Sequence, residues 1–363
     1  MRKSLHMKFK LDLLPLPDSV ELESRAVLRQ AAQAHRRLAE LKGAATTIPN
    51  EGILIDTLGL QEAKDSSAIE NIITTQDELF RADAALEKFD SPAAKEVHDY
   101  AAALRVGFER ARRQGFLRLE DILAVQEMLI KNRAGLRKLP GTVLKNEQTG
   151  ESVYEPPQDA KEIVSLMDNF VAYLNRNEEN DPDPLIRMAI LHYQFESIHP
   201  FYDGNGRAGR ILNLLHLVLH GLLDFPVLYL SRYIVRNKKA YYQGLQSVRE
   251  RGAWEEWILF MLKAVEETSR ETLERVIGIR TLMLETRRKL RTDYSKIYSQ
   301  DLLSNLFRHP YTKIEFIERD LGISRPTATK YLDELARGGV VRKMKVGRAN
   351  FYVNDPLFKL LSR

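Results

Sequence analysis

The sequence predicts a mainly α protein interrupted by two short β-rich stretches, and three observations carry that prediction. Apolar residues recur at helical spacing over most of residues 24–291. Only one segment before residue 300, 135–157, combines β-branched residues with a turn-like cluster. After residue 338 the glycine-punctuated run GGVVRKMKVGRANFYVN alternates in the manner of a hairpin.

The elements follow in order. A proline-punctuated arm, LPLPDS, leads into SRAVLRQAAQAHRRLAELKG, one long helix ending at Gly43. Residues 60–87, 93–114 and 119–132 carry the helical period. In GLRKLPGTVLKNEQTGESVYEPP, 135–157, β-branched residues flank NEQTGE and a Pro-Pro pair closes the segment, which predicts a short β-hairpin. Helices resume over 159–175 and 183–198, the second with Leu185, Met188, Ala189, His192 and Phe195 on one stripe. ILNLLHLVLHGLL ends at Gly221, and helices near 232–250 and 254–291 complete the helical part. Further helices fall at about 300–308, 313–320 and 325–338, followed by the basic hairpin. Three helices and a basic hairpin predict a winged helix-turn-helix. SRPTATKYLDELARGG would be its recognition helix, capped by Ser324 and with Pro326 in its first turn. The division this suggests is 1–90, 91–292 and 293–363.

Bulk properties narrow the class. The chain has 363 residues, long enough for two or three cores. It contains no cysteine, which excludes disulfides and thiolate metal sites and fits a reducing compartment. The N-terminus lacks an unbroken apolar run, and no run approaches a membrane span, so a soluble, cytoplasmic protein is expected. Residues 301–363 hold twelve Lys/Arg against seven Asp/Glu, an excess equal to the +5 of the whole chain.

The stretch HPFYDGNGRAGR, 199–210, concentrates the chemistry. It contains a literal G-x-G-x-x-G, with Asp224 about twenty residues on, but helical period precedes it where a dinucleotide fold needs a strand. Read as a calcium loop from Asp203, its twelfth position is Leu214 where a glutamate is required. No Walker A sequence occurs in the chain. The residue types fit an anion site better. Gly204 and Gly206 let successive N–H groups turn inward, and a helix starting near Arg207 adds its positive end. Arg207 and Arg210 share one helix face, suited to gripping two phosphates. Asp203 is a hard oxygen ligand suited to Mg²⁺, and His199 has the pKa of a base for a hydroxyl. Together they describe a triphosphate beside a general base.

At every defining position HPFYDGNGRAGR resembles the core motif HPFx(D/E)GNGRxxR of Fic-domain proteins. The resemblance extends over about 60–260 and implies a Fic-type helical bundle with a β-hairpin flap. It implies transfer of AMP from ATP to a hydroxyl of a target protein, with His199 as base, Asp203 on Mg²⁺ and Phe201 buried. Gly204, Asn205 and Gly206 would form the anion hole, with Arg207 and Arg210 on the phosphates and Ala208 and Gly209 within the same nucleotide-binding stretch. The phosphorylating Doc branch typically has lysine where this chain has Gly206, which favours nucleotidyl transfer. The hairpin 135–157 resembles the family's flap, which holds a target segment as an added strand. Its Gly141, Thr142, Val143 and Leu144 depart from the more usual aromatic-containing flap. Tyr241 falls where the family places an aromatic nucleotide contact, with core packing as the alternative.

Upstream, DSSAIENI matches the family's inhibitory motif (S/T)xxxE(G/N) through Ser66, Glu70 and Asn71. The resemblance implies that Glu70 occupies Arg210 and so leaves ATP in a non-productive pose. The competing reading makes Ser67-x-x-Glu70 a capping box that opens a helix. His192, His216, His220, Trp254 and Trp257 read as packing residues, and 266–292 as a solvated helix face. The leading function is a Mg²⁺- and ATP-dependent protein adenylyltransferase acting on Tyr, Thr or Ser hydroxyls and on itself, restrained by Glu70, with AMP removal as the reverse chemistry. The alternative is a DNA-binding regulator using Arg325, Lys330, Arg337, Arg342, Lys343, Lys345 and Arg348, with a sensory Fic domain. Winged helices also dock proteins, and family members often pair, so a homodimer is a further expectation.

Overall fold

The computed structural model describes residues 11–85, 91–145, 150–346 and 349–362. Within them the chain runs α1 (Arg25–Ala45), α2 (Glu51–Ile69), α3 (Gln76–Ala85), α4 (Pro92–Gln114), α5 (Leu119–Ile130), β1 (Leu144–Lys145) and β2 (Ser152–Tyr154). It continues through α6 (Ala160–Leu174), α7 (Pro184–Ile198), α8 (Asn205–Leu219), α9 (Leu230–Arg236), α10 (Lys238–Arg251) and α11 (Trp254–Asp293). Last come α12 (Gln300–Arg308), β3 (Tyr311–Thr312), α13 (Ile314–Leu321), α14 (Arg325–Arg337), β4 (Arg342–Val346), β5 (Ala349–Val353) and α15 (Asp355–Leu361). The protein is mainly helical, with a two-stranded antiparallel sheet β1-β2 and a three-stranded antiparallel sheet in the order β3-β5-β4. Residues 146–149 of the first expected turn, and Gly347 and Arg348 of the second, lie outside the described residues.

Several expected boundaries are corrected. The helix expected over 60–87 is two helices, because α2 closes at Ile69 and Asn71 takes a left-handed φ of 63°. The Asn71 N–H reaches the Ala68 carbonyl and the Ile72 N–H the Ser67 carbonyl, each at 3.1 Å. That is the Schellman closure, and its left-handed position takes glycine or asparagine most readily. Ser67-x-x-Glu70 therefore ends a helix, and the capping-box reading fails. The helix expected over 232–250 breaks at Asn237 into α9 and α10. Ser324 is the N-cap residue of α14, but its hydroxyl meets Thr327 Oγ1 at 3.0 Å and caps no backbone N–H. The stretch 266–292 is not simply solvated, since Thr268, Ser269, Thr272, Arg275, Val276 and Ile279 are all buried.

The chain groups into two compact units, each assembled from separated segments. The first takes residues up to His35, Ala102–Gly221 and Arg236–Val265; the second takes Arg36–Ala101, Leu222–Val235 and Glu266–Arg363.

At the centre of the first unit lies α7, in which every residue from Leu185 to Ile198 is buried. A helix buried on all sides must satisfy its polar side chains internally. Arg187 donates to the carbonyls of Tyr173 (2.7 Å) and Arg176 (2.6 Å), and Gln194 to that of Asp12 (2.8 Å). The Trp257 indole donates to the Ala189 carbonyl at 2.8 Å. α8 packs along α7, and Gly209 permits the approach: a Cβ there would stand 3.1 Å from Phe195 Cδ1 and 3.2 Å from Glu196 Oε1.

In the second unit α2 packs on α12, and Phe80 of α3 stacks on Tyr311 of β3. Buried Glu62 accepts from the Ser231 N–H (3.0 Å), the Ser231 hydroxyl and the Tyr100 hydroxyl (3.3 Å), so the carboxylate is solvated by donors in place of water. Among the described residues, no helix is long and apolar enough to cross a membrane.

Candidate active site

α7 ends at Ile198, and the next residue, His199, adopts the left-handed conformation at φ 48°, ψ 58°, its N–H bonded to the Phe195 carbonyl at 2.9 Å. For a residue with a Cβ this costs about 1–2 kcal/mol, so the surroundings must hold it. Pro200 stops the helix, and Phe201, fully buried, packs its ring 6.1 Å from that of Phe195. Asn205 completes the anchor. Its side-chain oxygen accepts from the Phe201 N–H and its amide donates to the Phe201 carbonyl, both at 2.8 Å.

Gly204 turns the chain at φ 78° and N-caps α8 without any side-chain cap. The helix begins at Asn205, not near Arg207, so Gly206 sits in the first helical turn and only Gly204 has a positive φ. The expected nest of two turned glycines is thus one left-handed glycine followed by a helix N-terminus. First-turn N–H groups have no helical acceptor, and with the helix dipole they make a receptive place for an anion. Arg207 and Arg210 are 3 % and 2 % exposed, cations already stripped of most of their water beside that terminus. Desolvation of this kind strengthens attraction to a phosphate. Asp203 projects outward, 67 % exposed, with one oxygen on the Gly204 N–H (2.6 Å) and facing Arg207 Nη2 at 3.4 Å.

The sequence-predicted residues 199–210 lie together in one loop and helix start, and three of them also hold that loop and helix in place. The side chain of Asn205 is taken up by Phe201, Ala208 is fully buried, and Gly209 serves the contact with α7. Tyr241 is 1 % exposed, its hydroxyl 2.8 Å from His192 Nε2, among the rings of Trp257, Tyr242 and Phe260. Of its two readings, core packing is the one the structure displays. Burial, and then the charge of Arg210, push the His192 pKa down to about 3, so the imidazole stays neutral. His216 is held well below the usual range by burial, with its Nε2 2.8 Å from the Pro184 carbonyl.

The hairpin forms as expected, with Leu144 opposite Tyr154 and Lys145 opposite Ser152 across an irregular register. Gly141 lies at φ 109°, and its N–H donates to Gln158 Oε1 at 2.6 Å, while Gln158 returns a bond to the Thr142 carbonyl at 2.9 Å. Thr142 and Leu144 are half-buried and Val143 is 36 % exposed. Tyr154 donates to the Ser197 carbonyl at 2.9 Å and lies beneath Arg249. Tyr202 accepts the N–H groups of Lys138 (2.9 Å) and Leu139 (3.2 Å), which lower its pKa. In the second unit, Ser66 is fully buried on α2 and Glu70 is half-buried as its C-cap residue. Sequence reasoning missed Arg137, fully buried at the start of the hairpin, and nothing in GLRKLP distinguishes it from a surface cation.

This fold and this loop define a class: a helical bundle with an anion-receptive helix start a short loop after a histidine. Three family models match in chain order. They are the Fic/DOC family N-terminal model over 28–109, the Fic/DOC family model over 116–217, and the C-terminal domain model of SoFic-like protein adenylyltransferases over 282–357. Together they take in most of the chain, and it belongs to the Fic/DOC family.

Among curated proteins it is similar to the protein adenylyltransferase Fic of Drosophila mojavensis, 26% identical over 153 residues, which are 42% of this chain and 28% of that one. It is also similar to the protein adenylyltransferase fic-1 of Caenorhabditis elegans, 30% identical over 122 residues, 34% of this chain and 22% of that one. The chain thus spans less than a third of the length of the curated relatives it matches. Among solved structures, a Fic family protein from Desulfovibrio desulfuricans G20 shares the fold with a TM-score of 0.59 at 19% identity, over 92% of this chain and 97% of that one. Fic-1 from C. elegans superposes with a TM-score of 0.52 at 22% identity, over 71% of this chain and 74% of that one.

Proposed function

We propose that this protein is an adenylyltransferase that moves AMP from ATP to a hydroxyl side chain of target proteins and of itself. The observation that carries the reading is the junction of α7 and α8, where a short loop joins His199 to a helix N-terminus flanked by buried Arg207 and Arg210. The names of the curated relatives point the same way. His199 takes the proton of the acceptor hydroxyl, and the freed oxygen attacks the α-phosphorus. The bond from that phosphorus to the bridging oxygen breaks, and pyrophosphate departs with its charge spread over the α8 N–H groups, Arg207 and Arg210. Asp203 fits a Mg²⁺ site: it is exposed, its contacts with Gly204 and Arg207 fall on Oδ1 and leave Oδ2 to solvent, and it stands without the carboxylate cluster of an all-protein cage among the described residues. The metal, when bound there with the phosphates, would neutralise charge on them. The hairpin presents Gly141, Thr142, Val143 and Leu144 for an added target strand.

Glu70 is assigned as the restraint, with Ser66 as its buried support on α2. The motif's glycine-or-asparagine position receives a physical reason here, because Asn71 must adopt the left-handed closure that fixes Glu70 as the last residue of the helix. The test is self-labelling with Mg²⁺ and α-labelled ATP by wild type, Glu70→Gly, and Glu70→Gly with His199→Ala. Strong labelling by the single variant, weak labelling by wild type and silence of the double variant are expected. Labelling only from γ-labelled ATP would overturn the donor assignment.

The DNA-binding alternative has less support. In the C-terminal stretch from α12 to α15, with its three strands, Arg325 pairs with Glu315 at 2.8 Å, Arg342 with Asp355 at 2.8 Å and Lys343 with Asp333 at 2.7 Å. Three of the seven cations named for phosphate contact are so neutralised, while Arg348 lies outside the described residues. A winged helix that docks protein fits this mixed surface better than one that tracks a phosphate backbone.

A further inference from the structure

Arg137 is an unusual cation. It is 1 % exposed, and its guanidinium donates to main-chain carbonyls. Nε donates to His199 O at 2.7 Å, and Nη2 donates to Pro157 O at 2.8 Å and to Ile198 O at 3.4 Å. Its own N–H donates to Pro200 O at 2.8 Å. Burial lowers its pKa, yet the guanidinium remains charged at any physiological pH. A buried charge is tolerated only where its desolvation is offset, and here the offset is the carbonyl-rich C-terminus of α7, the negative end of that helix.

These bonds join three pieces. Arg137 sits on the outgoing arm of the hairpin, Pro157 on its return arm, and Ile198 to Pro200 form the loop that carries His199. Tyr202 and Tyr154 add parallel ties, from the loop to Lys138 and Leu139 and from β2 to Ser197. The guanidinium also braces the strained left-handed backbone of His199 at its own carbonyl.

We propose that Arg137 is a positioning residue that makes the His199 loop and both arms of the hairpin one rigid body. It thereby fixes the distance between the general base and the strand on which a target hydroxyl arrives. This deepens the adenylyltransferase reading and rests on it. The nucleotide is held by α8, while the Arg137 bonds go to Pro157, Ile198, His199 and Pro200, so loss of Arg137 displaces the acceptor and leaves ATP in place. Lysine cannot restore the lock, because an ammonium cannot span the carbonyls of Pro157 and His199 in the fixed geometry of a guanidinium.

The test pairs hydrogen exchange with kinetics on the full chain, comparing wild type, Arg137→Met and Arg137→Lys. Exchange in peptides covering 138–145 and 199–204 is expected to accelerate together by about tenfold or more in both variants, the factor carried by a charge-assisted hydrogen bond. Peptides within α5 and α6 should stay as in wild type. In a Glu70→Gly background, the rate of self-labelling at saturating Mg²⁺ and ATP should fall about 100-fold, the effect of an ångström-scale misplacement, with the KM for ATP nearly unchanged. Acceleration in one segment alone, in neither, or throughout the unit overturns the lock. A rise in the ATP KM that accounts for the lost rate, or full recovery by lysine, overturns the positioning role. If the Glu70→Gly protein transfers no AMP, the function reading fails, and the exchange data still decide the lock.

Discussion

Replacing Asn205 by alanine isolates the cost of the loop that presents His199. The Asn205 side chain accepts from the Phe201 N–H and donates to the Phe201 carbonyl, both at 2.8 Å, in a place where Phe201 is fully buried and Asn205 is 3 % exposed. Alanine leaves both main-chain groups without a partner, at about 1–3 kcal/mol each. The expected loss is therefore about 2–6 kcal/mol, a large part of the roughly 5–15 kcal/mol that holds a typical domain. Urea unfolding followed by tryptophan fluorescence reads it directly, because Trp254 and Trp257 are the two tryptophans of the chain and both lie in the first unit. Asn205→Asp keeps the acceptor for the N–H but turns a carboxylate oxygen towards the carbonyl, so it should recover little. An alanine variant within about 0.5 kcal/mol of wild type would mean the loop is held without these bonds, and the account of the His199 anchor would be wrong.

Three further outcomes are expected. Gly204→Ala combines a left-handed backbone, about 1–2 kcal/mol, with a Cβ 2.8 Å from Ile130 Cδ1, about 1–3 kcal/mol of overpacking; Gly221→Ala, with φ 66° and open space, should cost only the first term in the same unfolding assay. His192 is neutral when folded and titrates near 6.5 when unfolded, so its contribution is constant above pH 6.5 and is lost as pH falls towards 3. That amounts to about 2 kcal/mol at pH 5, and His192→Gln should flatten the decline in stability between pH 7 and 5 by that much. Asp203→Asn should raise the Mg²⁺ concentration needed for half-maximal self-labelling while leaving thermal stability unchanged, since the carboxylate is largely exposed.

Much of the architecture was legible because strong periodicity and strong breakers coincide. Asp183 and Pro184 open α7, Pro200 closes it, and α12 spans 300–308 as its pattern predicts. The breaks at Asn71 and Asn237 were missed because asparagine interrupts a helix by backbone conformation and leaves the hydrophobic period nearly intact. β3 has two residues and α15 seven, too few to establish a period. At the site, residue types in 199–210 announced an anion and a base, but which atoms serve the loop itself was hidden. The Asn205 amide and the Arg137 guanidinium act on main-chain groups, and such partners leave no complementary residue in the sequence to find.

The discontinuous make-up of the first unit also governs how the chain matures on the ribosome. Gln194 binds the carbonyl of Asp12, 182 positions earlier, and the Ala189 carbonyl waits for an indole 68 positions later. The helix that carries His192 and leads to His199 is therefore made before its surroundings are complete, and the part of it that meets Trp257 stays uncovered until residue 257 has left the exit tunnel. Such a delay invites chaperone engagement during synthesis. It also means that a nonsense codon anywhere between 221 and 257 yields a sticky, unfinished core and not a shorter folded protein. Mistimed translation would then surface as aggregation long before it surfaced as altered chemistry.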